Sequence, residues 1–371
     1  MSSQKILLVQ LFSNGDCLYA TAVARQIKQD FPGCHLTWAI APFCQSIIAH
    51  NPFVDEVLLV DSVPKKDENA FRRLTRDLLA RKKAGEWDEV FITHIQGANQ
   101  ANYDGCIRSA TFNGYDRPIT VPLTPQLQLS AAETAAAAAF AQQHRLQQYR
   151  HIVLFEFAPQ SGQSMITKAF AIEIAEAIVQ DPSACIILSS ASPINHPSFQ
   201  IIDGSALSLR ETAALTHYCT LLLGCSSGIT WISTSSAARQ LPMVQLLNPH
   251  TTWFNPVSRD FERFGLDSHT VTELIEFDGP RVTACVKEAM QDFAAARARY
   301  HQPAALRFNT TRDIVYNLLC YLEFRAIGRH MALNVRVYGH RWSFYREVIM
   351  GFLIFPGRLI GNRYKKRNKR V

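Results

Sequence analysis

Lys5-Ile6-Leu7-Leu8-Val9-Gln10-Leu11-Phe12-Ser13-Asn14-Gly15-Asp16-Cys17-Leu18 is the stretch that decides the fold. A run of β-forming apolar residues, 6–11, ends in a small polar turn, and apolar residues then recur at helical spacing over 16–29. The turn is tight, and Gly15 is expected to permit the bend. Working outward, the alternation continues: a strand over 35–40, a helical stretch over 43–49, a strand over 57–60, a helix over 68–83 and a strand over 89–93. Short, nearly continuous apolar strands separated by helices predict a parallel sheet covered on both faces.

The pattern breaks at Arg117-Pro118-Ile119-Thr120-Val121-Pro122-Leu123-Thr124-Pro125, where three prolines exclude helix and central strand. A second series comes after it. Ser130 and Glu133 make a capping box that opens an Ala-rich helix to about Gln148, and Ser208 with Glu211 makes another, for a helix ending near His217. Strands are expected over 152–157, 185–189, 221–224 and 243–247. Two consecutive α/β units invite a ligand between them, at the carboxyl ends of the strands. The divisions predicted are 1–125, 126–300 and a helical extension, 301–371.

The chain has 371 residues, 47% hydrophobic and 19% charged, which supports two ordinary cores and excludes disordered, collagenous and coiled-coil chains. Its formal charge of +7 is unevenly placed. Residues 321–371 hold twelve basic side chains against Glu323 and Glu347, leaving 26 basic against 29 acidic in the rest. Nine cysteines without a C-x-x-C pair suit reduced, buried thiols in a reducing, cytoplasmic compartment. The start of the chain lacks a cleavage pattern, and the apolar run 348–355 is too short to span a bilayer.

Three loops could carry chemistry. Asp16 falls in the first turn of a helix, where the helix N-terminus favours an anion, so an ionised carboxylate able to accept a proton is expected. Residues 158–164, with Ser161, lead to Lys168, a set suited to an anionic ligand or to a plain connection. Gly224-Cys225-Ser226-Ser227-Gly228-Ile229-Thr230-Trp231 sits between a strand and a helix, so its amides and hydroxyls could cradle phosphate. The same turn could equally serve packing alone. No G-x-G-x-x-G, P-loop, D-x-D or H-E-x-x-H motif occurs, and metal chemistry has little support. His94 and His217 could serve a site, but a lone histidine is more often a partnered structural one.

These loops together resemble the heptosyltransferases, glycosyltransferase family 9. The carrying residues are the K-I-L start, Ser13-Asn14-Gly15-Asp16, Asn51-Pro52-Phe53-Val54-Asp55-Glu56-Val57, and the segment from Ser208 to Leu247. The resemblance implies a GT-B fold, two Rossmann-like domains with parallel sheets facing across a cleft. It implies inverting, metal-independent transfer of a heptose or related sugar from a nucleotide-sugar, such as ADP-heptose, to a lipopolysaccharide-core or other surface-glycan acceptor, without a cofactor. Asp16 matches the family's general base, with Ser13, Asn14 and Gly15 as the acceptor-side loop. Lys168 matches its donor-phosphate lysine, with Phe170 and Ala171 in place of Trp and Pro. The family's D-T-G-x-x-H turn becomes Ser226-Ser227-Gly228-Ile229-Thr230-Trp231, so Ser226 replaces its Asp and Trp231 its His. These departures point to an altered donor, or to the alternative of a catalytically silent member that binds nucleotide-sugar or glycolipid as a partner or scaffold.

In the basic tail, Trp342, Tyr345, Ile349 and Phe352 recur along one helical stripe among arginines. Such a segment either binds an anionic membrane surface through 341–371 or packs on the body. The first outcome would make the protein peripheral at the inner face of a bacterial inner membrane, with a glycolipid or oligosaccharide acceptor. Nucleic acid is not expected, since no recognition motif accompanies the charge.

Overall fold

A computed structural model describes residues 3–158, 164–251 and 256–367, the last twelve of these as helical backbone. The first lobe runs β1 (Lys5–Val9), α1 (Asn14–Asp30), β2 (His35–Ile40), β3 (Glu56–Leu59), α2 (Glu68–Lys83), β4 (Glu89–Ile92) and α3 (Ile107–Asn113). Its four strands are parallel in the order β3-β2-β1-β4. Ile6, Leu7, Leu8 and Val9 are all buried because helices cover both faces of β1, which is why that strand is apolar after Lys5. The helical stretch expected over 43–49 is a 3-10 turn, Pro42–Ile48, opened by its proline.

The second lobe begins with α4 (Ala131–Gln143), where both halves of the Ser130/Glu133 capping box are formed. It continues through β5 (His151–Glu156), α5 (Lys168–Ile178), β6 (Ala184–Ser189), β7 (Ile201–Asp203), α6 (Leu209–Leu215), β8 (Leu221–Gly224), α7 (Gly228–Ile232), β9 (Met243–Leu246), α8 (Val257–Arg263), β10 (Val271–Leu274), α9 (Gly279–Gln291) and α10 (Phe293–Tyr300). The sheet order is β10-β9-β8-β5-β6-β7, all parallel, so the chain reverses direction across the sheet between β5 and β8. That reversal creates a crevice at the strands' carboxyl ends.

Two strands escape the sequence pattern for identifiable reasons. β7 is three residues long. In β10, Glu273 is fully buried although charged in type, because its carboxyl accepts the Ser258 N–H at 3.0 Å and the Ser258 hydroxyl at 2.6 Å.

The lobes meet over buried contacts. Trp231 of α7 lies edge-on to Tyr19 of α1, ring centroids 5.2 Å apart. Arg108 of α3 pairs with Asp260 of α8 at 3.0 Å, both shielded from solvent, and lies over the Tyr19 ring. Arg210 of α6 donates to the Ser46 and Gln128 carbonyls and pairs with Glu133.

The remaining helices, α11 (Asn309–Cys320), α12 (Phe324–Tyr338) and α13 (Trp342–Arg367), fold back on the first lobe. Phe308, Ile314, Val315, Phe344 and Val348 share an apolar cluster with Ala101 and Tyr103. Arg72 of α2 ties the α11–α12 turn by pairing with Glu323 and lying 3.7 Å from the Tyr321 ring centre.

Candidate functional site

A cavity of about 430 Å³ lies where the lobes face each other. From the first lobe come Ser13, Asn14, Gly15, Phe43 and Lys65. The opposite wall is built from the segments after β5, β6 and β7, including Ala158, Ser189, Ser190 and Ser205, with Gly228 and Ile229 at the start of α7. Strand ends that carry small residues leave room for a ligand, and the loops' hydroxyls supply hydrogen bonding.

Asp16 comes directly after the wall residues Ser13–Gly15, in the first turn of α1. Its electrostatics differ from expectation. Burial lifts its pKa from 3.8 to about 7, and the pull of Lys65 and of its own backbone N–H in the opposite direction is smaller. The helix N-terminus therefore does not keep it firmly ionised, because desolvation of the carboxylate dominates. A carboxyl that titrates near neutrality is a well-matched proton acceptor. Beside it, the Asn14 side-chain oxygen is buried with no hydrogen-bond partner among the described residues. Gly15 also differs: it lies inside α1, not in the bend before it, and a Cβ there would sit 3.5 Å from the Trp231 indole, an ordinary contact.

The turn before α7 holds a carboxyl group, and that group belongs to the chain. Glu156, at the end of β5, is almost fully buried. It accepts the Ser227 hydroxyl, the Ile229 N–H at 3.0 Å, and both the N–H and the hydroxyl of Thr230 at 3.2 Å. Burial raises its pKa, opposed by those four donors. Buried Gln245 completes the turn by accepting the Ser226 N–H at 2.7 Å. Ser226 adopts a left-handed backbone, φ 54°, and a Cβ on Gly224 would come within 2.6 Å of the Thr230 hydroxyl. The phosphate cradle read from Ser226, Ser227, Ile229 and Thr230 is thus already engaged internally, and only Gly228 and Ile229 of that turn line the cavity.

Two further expected groups stand away from the cavity wall. The Trp231 indole is buried against Tyr19 and Gly15, where it packs the lobes together. Lys168 is exposed as the first residue of α5 and is not among the lining residues. Ser161 lies outside the described residues.

His94 is buried between Phe12 and Phe71, and burial lowers its pKa to about 4, so it is a neutral structural group. His217 contacts the Ala237 carbonyl. Among the described residues no cluster of His, Cys, Asp or Glu is arranged to hold a metal ion.

Sequence reasoning missed Lys65 and Glu156. Lys65 sits in a Pro-Lys-Lys-Asp turn that looks like any solvated loop. Glu156 did leave a signal, as the one charged residue in the strand His-Ile-Val-Leu-Phe-Glu.

No family model matches the chain, and no curated protein matches it. Its fold is shared with solved structures. A glycosyltransferase family 9 protein from Veillonella parvula DSM 2008 superposes with TM-score 0.53 at 15% identity, over 77% of this chain and 89% of that one. E. coli ADP-heptose lps heptosyltransferase II gives 0.52 at 14%, over 78% and 99%. The spinosyn forosaminyltransferase SpnP gives 0.50 at 12%, over 88% and 100%. The α/β fold with two facing parallel sheets expected from the sequence is therefore borne out, and it is the GT-B fold of these transferases.

Proposed function

We propose, on the premise of this glycosyltransferase fold, that the chain is an inverting, metal-independent glycosyltransferase. It moves a heptose or related sugar from a nucleotide-sugar to a lipopolysaccharide-core or other surface-glycan acceptor. The observation that carries the reading is the inter-lobe cavity, whose first-lobe wall residues Ser13–Gly15 are followed directly in the chain by Asp16, a carboxyl of near-neutral pKa that is not itself among the lining residues. In the reaction an acceptor hydroxyl attacks the anomeric carbon, a C–O bond forms, the bond to the diphosphate breaks, and the hydroxyl proton passes to Asp16. The unpartnered Asn14 oxygen can accept a hydrogen bond from the same acceptor and orient it. Ser13, Asn14 and Gly15 form the acceptor wall; the groups beyond β5, β6 and β7 form the donor wall.

A panel of ADP-, UDP-, GDP- and CDP-sugars tests this, first by thermal shift and then by nucleoside diphosphate release with a glycan acceptor. Binding with acceptor-dependent release supports transfer. Binding without release on any acceptor supports instead a silent nucleotide-sugar binder, the reading that the occupied turn at Glu156 favours. No binding at all contradicts both.

We further propose that α13 seats the protein on an anionic membrane, beside a lipid-linked acceptor. Its two faces differ. Phe344 and Val348 are buried in the cluster with α11, whereas Trp342 (73% exposed), Leu353 (66%), Ile349 (47%) and Phe352 (44%) are bare. Tyr345, read on the same stripe as Trp342, Ile349 and Phe352, is half-buried and its hydroxyl contacts His340. Both acids of 321–371 are neutralised, Glu323 by Arg72 and Glu347 by Arg346, so the outward charge of this segment is positive. Exposed apolar side chains in a segment with twelve basic residues against two acids suit an anionic interface, at about 1 kcal/mol per basic residue near it. Among the described residues no helix is long and apolar enough to cross a membrane. Co-sedimentation with phosphatidylglycerol vesicles is expected for the intact chain and lost in the Trp342→Ser, Ile349→Ser, Leu353→Ser variant. Equal sedimentation of the two would contradict the proposal.

A further inference from the structure

The first lobe carries a second depression, outside the cleft. It has a volume of about 430 Å³ and is lined by the same 3-10 turn, Pro42–Ile48, that gives Phe43 to the cleft wall. Pro42, Ile48, Val54 and Val57 make its apolar surface, the last of these on the edge strand β3. Asn51 is the buried polar residue of the lining, 6% exposed. Its Oδ1 accepts the Phe53 N–H at 3.0 Å, which fixes which end of the amide faces which way. That leaves Nδ2 buried with no hydrogen-bond partner among the described residues. An unpaired buried donor is costly, and a ligand oxygen seated in the depression would relieve it.

No Asp, Glu, Lys or Arg is among the lining residues, and the charged groups nearby already have partners. Asp55 pairs with Lys28, Glu56 contacts His35, and Arg210 pairs with Glu133. Arg210 reaches from the second lobe to donate to the Ser46 carbonyl at 2.9 Å and the Ala49 carbonyl at 3.4 Å, so this wall is braced before any ligand arrives. Apolar surface with one free amide donor and no charge suits a ring that has an apolar face and a hydroxylated edge, which is the chemistry of a neutral pyranose.

We propose that this depression is a subsite for a neutral sugar unit of the acceptor glycan, with Asn51 Nδ2 donating to one of its oxygens. The inference rests on the reading of the first lobe as the acceptor side and adds a second place on it. One unit lies in the cleft against the exposed Phe43 ring, and the neighbouring unit crosses the 3-10 turn to the depression. The acceptor is then longer than one sugar and uncharged at the second unit.

Methyl NMR of isoleucine-labelled full-length protein separates the two places, because Ile48 lines the depression and Ile229 lines the cleft. The probes are methyl glycosides of glucose, galactose, mannose and N-acetylglucosamine, with methyl glucuronide as the charged reference and ADP and UDP as cleft ligands. At least one neutral glycoside should shift Ile48 in a saturable way, with ADP present or absent. Val57→Trp, a change at an exposed strand position, should plug the depression and abolish that shift. Asn51→Ser keeps an oxygen for the Phe53 N–H and removes the amide donor, so it should weaken the neutral glycoside at least ~5-fold. No shift of Ile48 by any neutral glycoside would overturn the proposal, as would a shift that survives Val57→Trp, unchanged affinity in Asn51→Ser, or glucuronide binding as tightly as the neutral sugars. If a nucleotide moves Ile229 while Ile48 stays silent throughout, the subsite fails and the cleft keeps its reading. If glycosides move Ile48 and no nucleotide moves Ile229, the subsite stands as a carbohydrate site and the transferase reading fails.

Discussion

Replacing Asp16 by Asn should stabilise the folded protein, and only above a definite pH. In the folded state burial lifts the Asp16 pKa to about 7 from an ordinary 3.8. Between those values the folded protein holds a proton that the unfolded chain has released. Stability therefore falls as pH rises through that window, by up to ~1.4 kcal/mol per unit, and is flat on either side. The full difference is ~4 kcal/mol. Asp16 is half-buried and water moderates the effect, so ~2–4 kcal/mol is the working range. Asparagine has the same shape and no charge to desolvate. The variant should thus match wild type at pH 4 and exceed it at pH 8, by roughly 3–6 °C in a thermal melt. Denaturation tracked by circular dichroism from pH 4 to 8.5 reads this directly. A wild-type-minus-variant difference that does not change with pH would refute the desolvation of Asp16, and with it the reason to expect a base tuned to neutrality.

Three further outcomes rest on packing. Asp260→Ala strips the buried Arg108 of its counter-charge and should cost ~3–5 kcal/mol in urea unfolding, largely recovered in Arg108→Met/Asp260→Ala. Trp231→Ala removes the indole wedged between the lobes at Tyr19 and should cost ~3–5 kcal/mol by the same assay. In Gly351→Ala the new Cβ would lie 2.8 Å from Val315. The variant should lose ~1–3 kcal/mol and release α13 to limited proteolysis sooner than wild type.

Much of the fold was legible because its elements obey local rules. The strands β1, β2 and β8 are mostly apolar, with Ile6–Val9, Leu36–Ile40 and Leu221–Gly224 buried since both their faces are covered, and two capping boxes marked the starts of α4 and α6 at the right residues. What stayed hidden depends on partners distant in sequence. Buried Glu273 looks like a surface residue until Ser258 is placed beside it. The turn at Ser226–Thr230 has every feature of an anion cradle, and nothing local reveals that Glu156, far back in the chain, already fills it. The Asp16 turn was located correctly while its ionisation was not, because a helix end is visible in sequence and the loss of water around a carboxyl is not. The stripe from Trp342 was split by tertiary packing, with Tyr345 drawn to His340 and Trp342 left bare.

The most direct measurement is the rate of nucleoside diphosphate release from a nucleotide-sugar that binds the protein, in the presence of acceptor glycan, for wild type and Asp16→Asn at pH 8. Wild type should turn over at least ~10²-fold faster while both proteins bind the donor equally. Equal rates in the two would show that the transferred proton does not go to Asp16 and would contradict the catalytic role of the cleft.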